Sequence, residues 1–201
     1  MVADRIVANA VHCADWLVHQ FKKDGKYSLQ NHAEKHGFTN LGGGCYSSVY
    51  EHPCAPGLVI KLTMEQDDEA SITYLAWARA NPGKHVPKVY HLRRDTNIQV
   101  AVINKLMPLD DANRQQYYDY LECIYSEEDY RKVADKCSVA GVAADIFAFF
   151  AGLCGWDLHS GNIMQDMNGV MVITDPVTCA NDKNSRTLLT GVERAFNVKA
   201  A

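Results

Sequence analysis

Trp156-Asp157-Leu158-His159-Ser160-Gly161-Asn162, followed by Ile173-Thr174-Asp175, is the stretch on which the reading of this chain turns. Five residues separate Asp157 from Asn162, and thirteen separate Asn162 from Asp175. A carboxylate such as Asp157 can take the proton of an attacking hydroxyl at neutral pH. Asn162 brings a neutral oxygen and Asp175 a charged one, both hard ligands suited to Mg2+ beside phosphate groups. A D-L-x-x-x-N step, then a metal-binding Asp after a β-hairpin, is the pattern of phosphoryl transfer. Each residue alone has a plainer reading: Asp157 in a turn after a helix, Asn162 in a left-handed turn, Asp175 as a cap before Pro176. Only their combination with upstream elements in the right order favours chemistry.

Two such elements precede it. Leu41-Gly42-Gly43-Gly44-Cys45-Tyr46-Ser47-Ser48-Val49-Tyr50 fits G-x-G-x-x-S-x-V between two expected strands. In that pattern Gly42, Gly43, Gly44 and Ser47 let the backbone approach phosphate oxygens, and Val49 covers a purine ring. A dinucleotide loop would lead into a helix, and a P-loop would need Gly-Lys-Ser/Thr, which is missing. Twelve residues beyond Val49, the apolar run Val59-Ile60-Lys61 carries one lysine. A lysine there reaches nucleotide phosphates and is held by a carboxylate on the next helix, for which Glu69 is favoured over Asp68. By comparison with protein kinases, which this pattern resembles, His159 occupies the position of a phosphate-contacting Lys, with a purely structural role as the alternative.

The rest of the chain sets the frame. Its 201 residues suffice for one domain or a compact two-lobed one. Twenty basic residues against 24 acidic ones give a net charge of −4, a poor footprint for a nucleic-acid binder. Seven cysteines without a CxxC pair read as buried free thiols rather than a disulfide framework or a zinc site. The N-terminus carries acids and does not resemble a signal peptide, and no run approaches membrane-spanning length.

Val7, Ala10, Val11, Ala14, Leu17, Val18 and Phe21 recur with helical period over Asp4–Lys23, with Gly25 close behind. A second short helix is expected from Ser28 to Gly37. His32 and His36 share a face of it at a spacing that could hold a metal, but no third ligand is near in sequence, so a solvated face is the better reading. Strands are expected at Phe38–Leu41, Tyr46–Glu51, Leu58–Leu62, Lys88–Leu92 and Ile98–Ile103, with one helix at about Asp67–Ala80. A tyrosine-rich helix over Asp110–Tyr125 and a long helix from Ser126 to about Cys154 follow, the latter apolar all round by Ile146–Phe150. A hairpin through Asn168-Gly169 comes next.

These elements outline an α+β, bilobal, protein kinase-like fold. It comprises an N-terminal helical extension (1–37), a five-stranded antiparallel N-lobe with one helix (38–106) and a minimal, mainly helical C-lobe (107–201). LGGGCYSSVYEHP, GLVIKL and DLHSGNIM…ITDPV resemble the early serine/threonine protein kinases of T-seven-like bacteriophages (autographiviruses), over about Phe38 to Thr178. The resemblance implies ATP and Mg2+ as cofactors, action in the host cytoplasm, and host bacterial proteins as substrates, including transcription and RNA-processing machinery. A further region of that family acts on host transcription; the chain ends at Ala201, and that action is not expected of it.

Gly155 and Trp156 replace the His and Arg that precede the catalytic Asp of ordinary protein kinases, and Pro176-Val177 follow Asp175. Control by activation-loop phosphorylation is therefore not expected. Two other readings remain open. D-L-H-x-G-N also resembles the loop of aminoglycoside and other metabolite phosphotransferases. The chain could also be a nucleotide-binding pseudokinase acting through protein contacts, although Lys61, Asp157, Asn162 and Asp175 are all intact.

Overall fold

A computed structural model describes residues 3–44, 47–63, 69–95, 98–125, 137–179, 183–196 and 199–200. Its centre is a sheet in the order β1-β2-β3-β5-β4. The strands are β1 (Thr39–Gly42), β2 (Ser47–Glu51), β3 (Leu58–Thr63), β4 (Val89–Asp95) and β5 (Ile98–Asn104), all paired antiparallel. Each lies within a few residues of its expected position. Period-two alternation gives the sheet two faces. Leu58, Ile60 and Leu62 of β3, with Ile98, Val100 and Val102 of β5, join one buried cluster. Val59, Ala101 and Ile103 join the other.

The first face is covered by α1 (Asp4–Lys35), whose Ala10, Cys13, Ala14, Leu17 and Val18 are buried against it. Gly25 breaks this helix at φ 76, ψ 178, a conformation that glycine adopts without the Cβ clash other residues meet. The two expected N-terminal helices are thus the two arms of α1. Because both sheet faces are covered, all six residues of β3 are buried, and the strand reads as a continuous apolar run.

The second face carries α2 (Glu69–Ala80), and residues of α3 (Asp111–Tyr125) and α4 (Ala140–Phe150) join the same buried cluster beyond it. Asp110 caps α3 by accepting the Asn113 amide at 2.8 Å. Tyr117 and Tyr120 point into the core, whereas Tyr118 is exposed. The single long helix expected from Ser126 is corrected here. Ser126 itself lies outside the described residues, but residues 137–139 are a turn, and the helix stops at Phe150. Nor is α4 buried on every side: Ile146 and Phe150 are buried while Phe149 is 37% exposed. Cys154, expected as the helix end, instead opens β6 (Cys154–Trp156).

Two small ladders close the C-terminal half. β6 pairs with β9 (Val177–Cys179), and β7 (Ile163–Gln165) pairs with β8 (Met171–Ile173). Their hairpin turns at Asp166–Gly169, where the Asp166 carboxylate accepts the Asn168 and Val170 amides. The Val170 amide, ahead of burial, lowers the Asp166 pKa.

The last segment departs from a division of the chain at residue 107. Helix α5 (Lys183–Ala195) packs against α2, and β10 (Lys199–Ala200) joins the edge of β4 in parallel. The chain end thus returns to the N-terminal sheet and makes it six-stranded. Among the described residues no helix is long and apolar enough to cross a membrane.

If α1 is part of the folding core, Leu17→Ala, at a fully buried position, should cost about 2–5 kcal/mol in urea denaturation. Leu188→Ala, at a position 53% exposed, should stay within about 0.5 kcal/mol.

Candidate active site

Lys61 and Asp175, 114 residues apart in sequence, meet with Nζ 2.7 Å from Oδ2. Lys61 is placed by alternation: it lies on β3 between Ile60 and Leu62, which face α1, and so points to the opposite face. Its ammonium also donates to Ser71 Oγ on α2 at 2.9 Å. Behind it is a cavity of about 10 Å3 bounded by Ser71, Leu75, Gln99 and Ala101, with room for one water at most.

Asp175 is held from behind by its neighbours. Tyr74, fully buried, donates its hydroxyl to the Ile173 carbonyl at 2.6 Å. Burial first, then the nearby Asp175 charge, push the Tyr74 phenol well above its ordinary pKa, so it stays a donor. The Ile173 amide donates to the His85 carbonyl at 3.0 Å, and the Thr174 amide to the Asn162 carbonyl at 2.8 Å.

Asp157 begins the loop between β6 and β7. Its amide donates to the Pro176 carbonyl at 2.8 Å, tying it to the segment after Asp175. Asn162 Nδ2 donates to the Asp157 carbonyl at 2.7 Å and approaches its Oδ2 at 3.4 Å. Tyr117 on α3 donates to the Leu158 carbonyl at 3.2 Å. Residues Ser160–Asn162 form one 3-10 turn, capped by His159, whose Nδ1 accepts the Gly161 amide at 3.0 Å. That bond leaves the hydrogen on His159 Nε2, which stands 3.8 Å from Asp157 Oδ1. Both side chains are about half exposed and open to a substrate.

The donor set suits a hard divalent cation. With its amide nitrogen spent on Asp157, Asn162 keeps its oxygen free to coordinate. Asp175 Oδ1 is buried and meets no hydrogen-bond donor among the described residues. A buried carboxylate oxygen without a partner is costly unless something else satisfies it. Asn162 and Asp175 are therefore fit to hold Mg2+.

Glu69 requires a correction. The expected partner of Lys61 instead receives Arg94 Nη2 at 2.9 Å and the Thr190 hydroxyl at 3.0 Å. Arg94 forks between Glu69 and the buried Glu193 of α5, at 2.8 Å to each Glu193 oxygen. Burial would lower the Arg94 pKa, but Glu193 and then Glu69 raise it above the ordinary guanidinium value. The planar fork of Arg94 matches two carboxylates better than an ammonium could, and the return of α5 supplies the second one. Asp68 lies outside the described residues.

The glycine loop opens at Gly42, whose amide donates to Asn40 Oδ1 at 2.8 Å. At Gly43 a Cβ would stand 2.1 Å from the Ser47 carbonyl oxygen, so only glycine lets the two arms approach. Gly44 is open, its nearest neighbour being Ser47 Oγ at 3.8 Å. Cys45 and Tyr46 lie outside the described residues. Val49 pairs with Lys61 across β2 and β3 and packs against the core shared with α2. Asp110 and Asp111 have structural partners: Asp110 caps α3, and Asp111 pairs with Arg114 at 3.0 Å.

This glycine hairpin, strand lysine and paired acidic loop coincide with the match to known proteins. The family model described as bacteriophage T7 protein kinase 0.7 matches residues 6–196. The chain belongs to this phage protein kinase family. Its architecture is α+β, a mainly antiparallel sheet with helices on both faces followed by a mainly helical half. No curated protein matches the chain. Among solved structures, it is similar to Rad53 1-466 in complex with AMP-PNP, at 15% identity and a TM-score of 0.43. The match covers 75% of this chain and 42% of that one.

Sequence reasoning missed the supports of this candidate site. Ser71, Tyr74, Tyr117 and the Arg94–Glu193 pair carry no motif, and only tertiary packing brings them to the loop. The Arg94 fork is testable. Arg94→Ala leaves Glu193 buried beside Glu69 with no cation and should destabilise by about 2–4 kcal/mol, less than a fully buried pair because Arg94 is partly exposed. Arg94→Met with Glu193→Leu should recover most of that loss in chemical denaturation. Gly43→Ala should destabilise the hairpin, while Gly44→Ala should be tolerated; thermal melting of the two variants separates them.

Proposed function

We propose that this chain transfers the γ-phosphoryl group of Mg-ATP to Ser and Thr hydroxyls of host bacterial proteins in the host cytoplasm. The observation that carries the reading is the convergence of Lys61 from β3, Asp157 and Asn162 from the loop before β7, and Asp175 from the segment after β8, one carboxylate oxygen of Asp175 being buried without a donor among the described residues. Transcription and RNA-processing proteins are candidate substrates by the family resemblance.

Phosphoryl transfer needs positioning and charge stabilisation more than covalent chemistry. The backbone of Gly42–Gly44 and Ser47 would line the phosphates, and Val49 the base. Lys61, kept extended by Ser71, would exchange part of its contact with Asp175 for a phosphate oxygen. Mg2+ held by Asn162 and Asp175 would supply charge neutralisation on the phosphate oxygens. The acceptor hydroxyl attacks the γ-phosphorus; its O–P bond forms as the bond to the β–γ bridging oxygen breaks. The hydroxyl proton passes to Asp157, and ADP leaves. Asn162 fixes the Asp157 carboxylate and its backbone for that role. His159 Nε2–H, beside Asp157 and exposed, is placed to donate to the transferred group.

The test uses γ-labelled ATP, Mg2+ and bacterial lysate with wild type and Asp157→Asn. Wild type should label discrete proteins on Ser and Thr. Turnover in the variant should fall about 10²–10⁴-fold while ATP binding is retained. Equal labelling by both proteins would overturn the role of Asp157. ATP consumption with no labelled protein would point to a metabolite acceptor, and ATP binding without turnover to a scaffold.

A further inference from the structure

On the α1 side of the sheet, opposite Lys61, three ligand-bearing side chains converge from two segments distant in sequence. Cys13 comes from α1; His52 and Cys54 come from the turn between β2 and β3. Their ligand atoms all lie within 4.8 Å of one another. Cys13 Sγ and Cys54 Sγ are 3.3 Å apart, and His52 Nδ1 is 2.9 Å from Cys54 Sγ. Ligands around tetrahedral zinc, at about 2.3 Å for sulfur and 2.0–2.1 Å for nitrogen, stand roughly 3.5–3.8 Å from one another. A few tenths of an ångström of expansion would admit the ion.

The surroundings point the same way. His52 Nε2 lies 3.2 Å from the His36 carbonyl, which can only accept, so Nε2 carries the hydrogen. The Nδ1 lone pair is then turned toward Cys54, where among the described residues it meets the thiol at 2.9 Å and the backbone amide at 3.2 Å. A histidine whose second nitrogen donates to a backbone carbonyl is the arrangement that orients imidazole for a metal. Phe38 packs on the ring at a centroid distance of 4.7 Å, and Asn9, one turn before Cys13, donates to the Cys54 carbonyl at 2.8 Å. These contacts hold the turn against α1 before any ion binds. Cys13 is buried and Cys54 exposed, which leaves one side open to solvent.

We propose that Cys13, His52 and Cys54 form a zinc site, with water in the fourth position, that clips α1 to the β2–β3 turn. Two Zn–S bonds and one Zn–N bond form as both thiol protons leave to solvent, and no oxidant or reductant is required. Sulfur and imidazole donors select a borderline-soft ion over Mg2+ or Ca2+, so the site is distinct from the Asn162–Asp175 pair.

The experiment takes the full chain, reduced and stripped with a chelator, and titrates it with Zn2+ alone by calorimetry and with Co2+ by absorption. The proposal expects one zinc per chain and a higher Tm with zinc. Cobalt should give a thiolate charge-transfer band and tetrahedral visible bands. Cys54→Ser, at an exposed position that leaves the core intact, and His52→Asn should each weaken zinc binding by more than the roughly 10–100-fold that an outer partner costs. Cys154→Ser, outside the cluster, should bind as wild type. Absence of the cobalt thiolate band from reduced protein would overturn the site, as would wild-type affinity in Cys54→Ser. A reduced protein that keeps no zinc and closes in air to a Cys13–Cys54 disulfide would overturn it too.

Discussion

The ion pair between Lys61 and Asp175 is the contact on which the site depends, because it joins the sheet to the loop after β8 across 114 residues of sequence. Lys61 is largely buried, and a buried ammonium without a counter-charge would be strongly destabilising. The requirement acts in both directions. Asp175 must be delivered to that point, and the hydrogen bonds from Tyr74 to Ile173, from Ile173 to His85 and from Thr174 to Asn162 deliver it. The same segment reaches back to Asp157 through the Pro176 carbonyl, so Asp157, Asn162 and Asp175 are tied into one continuous network.

Covering both faces of the sheet makes that network stiff. With α1 on one side and α2 on the other, β3 cannot slip by one residue without moving Lys61 to the α1 face and burying it among Leu17 and Val18. The C-terminal half supplies much of the larger buried cluster, Tyr117, Ile146 and Phe150 among it. Its helix α5 also braces α2 through Arg94, Glu69 and Glu193, so the element bearing Ser71 is fixed from outside as well as from the site. Glu69 therefore stabilises the scaffold, and Ser71, two residues further along α2, meets the lysine.

What could be read in the sequence follows from this division. Asp157, Asn162 and Asp175 were legible because the chemistry dictates both residue type and step, and the hairpin between them was marked by Asn168-Gly169. The five antiparallel strands were legible from β-branched runs punctuated by Gly and Pro. The break at residues 137–139 was not, since the apolar period of Val133, Cys137 and Ala140 continues through it while the backbone turns. β6 was hidden for a related reason: Cys154 extends the helical period, but Cys154–Trp156 is captured by pairing with β9. The partner of Glu69 was beyond reach because it comes from strand β4 and helix α5, whose approach depends on the path of the last twenty residues. The Cys13–His52–Cys54 cluster was missed because its ligands follow no local spacing, whereas the spaced pair His32 and His36 is occupied otherwise, His32 with Asp24 at 3.1 Å and His36 with the His32 carbonyl at 2.9 Å.

The central claim is that Lys61 and Asp175 form the nucleotide and metal end of a phosphoryl-transfer site. Calorimetric titration of a non-hydrolysable ATP analogue, with and without Mg2+, tests it most directly in wild type, Lys61→Met and Asp175→Asn. The account predicts Mg2+-strengthened binding in wild type, loss of the Mg2+ effect in Asp175→Asn, and weak binding in Lys61→Met whether or not Mg2+ is present. Binding in wild type that ignores Mg2+ and survives both substitutions would contradict it.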